Sequence, residues 1–134
     1  MILSEDKVLS YKLIKSKHKD QNYLDWIDRQ KSLIARSPSD SSSITHHHYL
    51  CSGGKFGNDY LSLPFTWYQH TQQFHSGTPE DEVFDIHGIE PVREIIEHLS
   101  RYLNEVLNYN IKIVEYSEWQ IERLIKIIEK IKST

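Results

Sequence analysis

The stretch from Ser37 to Gly77 is so heavily punctuated that it leaves room for two short strands and one short helix, and little else. SPSDSSS at 37–43 reads as a loop, because small polar residues compete with regular backbone hydrogen bonding. Ile44 to Leu50 can extend as a strand. CSGGKFGND at 51–59 must turn, and Tyr60 to Leu63 can form a second strand ended by Pro64. Thr66 then reads as a helix N-cap, with Gln69 three residues on as in a capping box and Gly77 as the stop. A short helix over 67–75 follows.

The flanks read as helices. Residues 20–36 carry Asp20 or Asn22 as a cap and an apolar patch of Tyr23, Leu24, Trp26 and Ile27. From Pro91, which suits a first helical turn, Val92, Ile95, Ile96, Leu99, Leu103 and Val106 recur at spacings of three and four. Ile111 to Tyr116 reads as a short strand or an extended linker. Ser117 with Gln120 opens a last helix, striped by Ile121, Leu124, Ile125, Ile128 and Ile131. Such stripes either form a core or make a homodimer seam. Residues 1–19 are polar and basic, with Lys12, Lys15, Lys17, His18 and Lys19 close together. They read either as a solvated end or as an arm that contacts phosphates.

Length fits one domain with a real core. No apolar run approaches the roughly 18 residues a bilayer span needs. The first residues carry acids early and lysines late, the reverse of a secretory signal, so the expected location is the cytoplasm. The lone Cys51 excludes an intramolecular disulfide framework and a metal site made of cysteines alone. A formal charge of −3 argues against a binder that relies on bulk charge, but not against a local basic patch.

Histidine is the unusual component. Six of the eight lie between His46 and His87. Neutral imidazole is the commonest ligand for borderline metals, and its pKa suits a general base at neutral pH. Phosphodiester hydrolysis needs a base for water, charge neutralisation in the transition state, and a stabilised leaving oxygen. Adjacent histidines on a strand project to opposite faces, so one ring can serve a metal and its neighbour the water.

Thr45-His46-His47-His48-Tyr49, the run Gly53-Gly54-Lys55-Phe56-Gly57-Asn58-Asp59-Tyr60-Leu61-Ser62-Leu63-Pro64, then His70 and His75-Ser76-Gly77, together resemble the HNH or ββα-metal nucleases. The likeness is to the phage and prophage subgroup that includes recombination-enhancement nucleases. His87-Gly88-Ile89-Glu90 and the lead-in Tyr23-Leu24-Asp25-Trp26-Ile27 extend it over about residues 20 to 91.

The resemblance implies an α+β fold: a ββα-metal (HNH) core with an N-terminal helix and additional C-terminal helices. It implies a single domain over 1–134, with the nuclease core at 20–91 and a helical extension at 91–134. It also implies a metal-dependent endonuclease or nickase that hydrolyses DNA with low sequence specificity. The first histidine of the pair is then a metal ligand and the second the general base. His47 as ligand with His48 as base is preferred, and His46 with His47 is the alternative register. Asp59 matches the subgroup's acid, with Asn58 competing. His70 and His75 match the helix ligands. Lys55, Lys15, Lys17 and Lys19 are the candidates for phosphate contacts. Magnesium or manganese is the expected working ion, with zinc or nickel able to occupy an imidazole site.

Two departures stand out. Ligands on the family's helix are usually four apart, whereas His70 and His75 are five apart, about 140° round an ideal α-helix. Either the helix is distorted or one of the two is not a ligand. Ser32 and Ala35 stand where many relatives carry a Cys-x-x-Cys pair, so no structural zinc is expected there. Cys51 reads as a loop residue rather than a ligand, His98 as a surface residue, and His87 as packing near the site. The rival function is a catalytically degenerate HNH domain that binds DNA or a partner without cutting.

Overall fold

The computed structural model describes residues 9–50, 57–75 and 77–134. Among these the architecture is α+β, with six helices and one two-stranded antiparallel sheet. The helices are α1 (Tyr11–Ile14), α2 (Gln21–Ile27), α3 (Trp67–Gln69), α4 (Glu80–Ile86), α5 (Pro91–Arg101) and α6 (Glu118–Lys132). The strands are β1 (Ile44–His48) and β2 (Ser62–Thr66). No helix of the described residues is long and apolar enough to cross a membrane.

The sheet sets the site. In register, His46 opposes Pro64, His47 opposes Leu63 and His48 opposes Ser62. All of β2 is buried, while β1 is half-buried along its whole length. Pro64 was expected to end the second strand, yet it lies inside β2. Its carbonyl faces away from β1 and accepts from Leu33 N–H at 3.1 Å. Its nitrogen points the same way, so the missing donor is lost from the outer side rather than from the ladder.

That same contact explains why α2 stops at Ile27 instead of running to residue 36. Leu33 gives its N–H to the sheet, and the carbonyls of Ile34 and Ala35 accept from the Gln69 Nε2 amide, at 2.9 and 3.3 Å. Tertiary partners claim backbone groups that a longer helix would need. What survives of α2 is its capped first part: Asp20 Oδ1 accepts from Tyr23 N–H at 3.0 Å, and Tyr23, Leu24, Trp26 and Ile27 are buried.

The C-terminal stripes turn inward. Ile95, Ile96, Leu99 and Leu103 meet Ile121, Leu124 and Ile128 in one core with Phe65 and Leu63 of β2. The stripe is therefore spent on this chain's own interior rather than on a partner seam. Val106, expected at its end, is 43% exposed. After Arg101 the helix widens into a π turn over Tyr102–Val106, which rotates the last residue off the core face. Residues 111–115 form no strand of the sheet.

The basic N-terminal stretch is not simply frayed, since Leu9 and Leu13 are buried in the core. His98, expected on the surface, is 4% exposed and donates from Nδ1 to the Glu94 carbonyl at 2.7 Å. His87 is exposed at the end of α4 and does not pack against the site.

Candidate functional site

β1 divides the histidine triplet between two faces, as alternation requires. His46 and His48 share one side, with ring centroids 5.5 Å apart. His47 points to the other, where its ring stacks on Phe74 at 4.0 Å and meets Phe65 and Phe84 edge-on or tilted.

The helix that faces His47 is not an ordinary α-helix. Thr66 caps it with a complete capping box: its hydroxyl accepts from Gln69 N–H at 3.0 Å, and Gln69 Oε1 accepts from Thr66 N–H at 3.0 Å. After Gln69 the backbone becomes a π turn over His70–Phe74. A π turn bonds residue i to i+5, so residues five apart come onto one side. His70 and His75 accordingly lie ring to ring, 4.7 Å between centroids. The spacing that an ideal α-helix would spread by about 140° is closed by one turn of different pitch. Gly77, at φ +91°, ends the segment in a conformation that suits glycine.

His70 reaches back to the strand, with its Nε2 3.1 Å from His47 Nδ1. Burial, and then the neighbouring imidazoles of His47 and His75, push the His70 pKa down to about 4. It is therefore neutral at neutral pH, as a ligand must be. The other nitrogen of His47, Nε2, lies 2.5 Å from Glu80 Oε2.

The opposite side of β1 holds a second arrangement. His48 Nε2 lies 3.0 Å from Asp59 Oδ1. Asp59 is 4% exposed, and its other oxygen accepts from Asp20 N–H at 2.7 Å. Asp20 is held in turn by Tyr60 Oη at 2.6 Å and by Lys132 Nζ from the last turn of α6. Burial lowers the pKa of His48, and Asp59 opposes that shift without cancelling it. Gly57 seals the ring: a Cβ there would sit 3.0 Å from His48 Cδ2 and 3.2 Å from Lys19 Nζ. Lys19 therefore brings its ammonium beside His48.

The remaining candidates fall elsewhere. His46 pairs with Asp28, Nδ1 to Oδ1 at 2.8 Å, away from His70. Asn58 is fully buried and donates to Leu13 O and Ser16 Oγ, so it braces the loop against α1 and does not meet the histidines. Lys15 lies over the Tyr11 ring at 4.2 Å, and Lys17 is exposed. Lys55 and Cys51 lie outside the described residues. Ser32, at the first Cys-x-x-Cys position, donates instead to Gln69 Oε1 at 2.5 Å.

Among the described residues, no group of three or more His, Cys, Asp or Glu side chains is arranged to hold a metal ion. Two nitrogens nevertheless have the right separation. Ligand atoms about 2.0–2.1 Å from one ion stand ~2.9–3.4 Å apart at the usual angles, and His47 Nδ1 and His70 Nε2 are 3.1 Å apart. His75 flanks them on the exposed side. The chemistry of these two imidazole nitrogens suits a borderline divalent ion.

Glu80 is the residue that the sequence reading passed over. Thr78-Pro79-Glu80-Asp81-Glu82 carries the signal of a helix start, proline followed by acids in the first turn, and α4 begins there. Gly57 was also missed as a neighbour of His48, and Asp20 as a partner of Asp59; only the folded chain brings them there. Comparison with family models, curated proteins and solved structures finds no match to this chain.

Proposed function

We propose that this chain is a metal-dependent endonuclease of the HNH, or ββα-metal, kind that nicks or cuts DNA with low sequence specificity. The observation that carries the reading is the pairing, within one strand–strand–helix unit, of two histidine sets on either side of β1: His47 with His70 and His75, and His48 with Asp59.

His48 is the general base. Its Nε2–H is committed to Asp59, so Nδ1 is the nitrogen that takes a proton from the attacking water. Asp59 holds the ring in that tautomer and is itself fixed by the Asp20 N–H. Depressed basicity keeps His48 neutral at neutral pH and ready to accept. His47, His70 and His75 are the metal-holding set. Bound there, a divalent ion would supply positive charge for the transition state and the leaving 3′ oxygen; magnesium or manganese is the ion expected for activity, and zinc or nickel the ones that imidazoles would hold best. Lys19 contributes a phosphate contact beside the base, and Lys15 and Lys17 extend the basic surface along the DNA.

The test is plasmid nicking by EDTA-stripped protein with magnesium, manganese, zinc or no ion added back. Metal-dependent nicking is expected in the wild type, falling roughly 10²- to 10⁴-fold in His48→Ala. Unchanged cleavage in that variant would overturn the mechanism. A second reading, a non-cutting HNH domain that binds DNA, is favoured by the lack of a ready three-ligand group among the described residues. It is supported if folded protein shifts DNA but nicks it with no ion.

A further inference from the structure

The histidine facing the π turn has both ring nitrogens engaged, and its two partners differ in kind. Nδ1 meets another imidazole nitrogen, while Nε2 meets a carboxylate oxygen. A carboxylate accepts and an imidazole nitrogen serves either way, so Glu80 decides which nitrogen of His47 carries the proton.

We infer that Glu80 is the positioning carboxylate of His47. It takes the Nε2–H and leaves the Nδ1 lone pair directed at the spot shared with His70 Nε2. The inference rests on reading His47 and His70 as metal ligands, and it adds what holds the first of them in a binding tautomer. Ligating histidines characteristically donate their second N–H to such a group, which fixes the ring and raises its basicity.

Glu80 is itself held. Leu50 N–H points at both its oxygens, 3.1 and 3.4 Å away. Leu50 adopts φ 60°, a conformation leucine rarely takes, where the chain leaves β1. That turn aims the amide at Glu80. Phe74 stacks on one face of the imidazole at 4.0 Å, which resists a ring flip that would exchange its two nitrogens. Tautomer choice is then left to the carboxylate. An apolar side chain at position 80 would leave both His47 Nε2 and the Leu50 N–H without this partner.

The experiment has two arms. The first uses no metal: nitrogen chemical shifts of His47 in the full chain report which ring nitrogen is protonated. The expected state is Nε2–H in the wild type and a mixture in Glu80→Ala. A wild-type Nδ1–H tautomer overturns the inference. The second arm titrates manganese and zinc, each alone, into wild type, Glu80→Ala, Glu80→Gln and His70→Ala, with folding of each checked by circular dichroism. Glu80→Ala is expected to lose roughly 10- to 100-fold in affinity. Glu80→Gln, whose amide oxygen still accepts from Nε2–H, should recover part of it. Equal binding by Glu80→Ala and wild type, with binding lost in His70→Ala, overturns the role of Glu80 and leaves the metal site standing. No binding by folded wild type overturns the metal site, and the role of Glu80 with it.

Discussion

Two helices in this molecule make the same departure from α geometry, and they use it differently. α5 widens into a π turn over Tyr102–Val106, and α3 into one over His70–Phe74. In the first, the turn ends a core helix. Tyr102 and Leu103 stay buried, and the side chain of Asn104 binds both the carbonyl and the N–H of Ile111, at 3.1 and 2.8 Å. In the second, no residue of the turn is fully buried, and its first residue, the half-buried His70, is drawn against the exposed His75 that follows it. A π turn is therefore no functional signature by itself. What matters is which side chains it re-aims and what stands opposite: a backbone amide in one case, His47 in the other.

The contrast can be broken from the packing side first. Leu103→Ala, at a fully buried position in the α5 turn, should cost about 2–5 kcal/mol in urea unfolding. Its nicking activity should stay near wild type at temperatures where it is folded. Asn104→Ala leaves both backbone groups of Ile111 without that partner and should cost about 1–3 kcal/mol by the same measurement, with metal affinity unchanged. His70→Ala should show the opposite profile, stability within about 1 kcal/mol of wild type and metal affinity lost. If His70→Ala destabilised the fold as much as Leu103→Ala did, the second turn would be a packing device like the first.

The smallest effect is a pH slope. Burial depresses the pKa of His98, so the folded protein resists its protonation while the unfolded chain accepts a proton below about 6.5. Stability contributed by neutral His98 is present above that pH and declines as pH falls toward the depressed folded value. His98→Asn should flatten the slope of stability between pH 6.5 and 5. The slope that remains includes His48 and His70, whose shifts have the same sign, and Glu94, whose carboxyl burial pushes up and whose contribution runs the other way. An unchanged slope would show that His98 takes up its proton equally in the folded and the unfolded chain.

What the sequence revealed follows the range of the interactions responsible. The stripes at 92–103 and 121–128 were readable because helical period and burial agree there, with no competing partner. The capping box at Thr66 was equally local. The end of α2 was not, because Leu33 surrenders its N–H to Pro64, thirty-one residues away in a strand that the proline was expected to end. At the site, strand alternation was enough to separate His47 from His48. The five-residue gap could only be flagged as a conflict, since no residue type between His70 and His75 announces a π turn. His98 was misjudged because polarity suggested the surface, while its Nδ1 finds the Glu94 carbonyl inside the helix it sits on.

The widened turn of α3 also bears on how such a site tolerates change in length. In a regular helix one inserted residue rotates everything downstream by about 100°, which would carry His75 away from His70. Here a π turn spans the five residues, and the two rings are neighbours. A recognition rule written as a fixed gap of four between helix histidines would pass over this chain. One written as a pair of rings on the same side of the helix would not. What a pair of helix histidines needs is a shared face, whatever count of residues separates them.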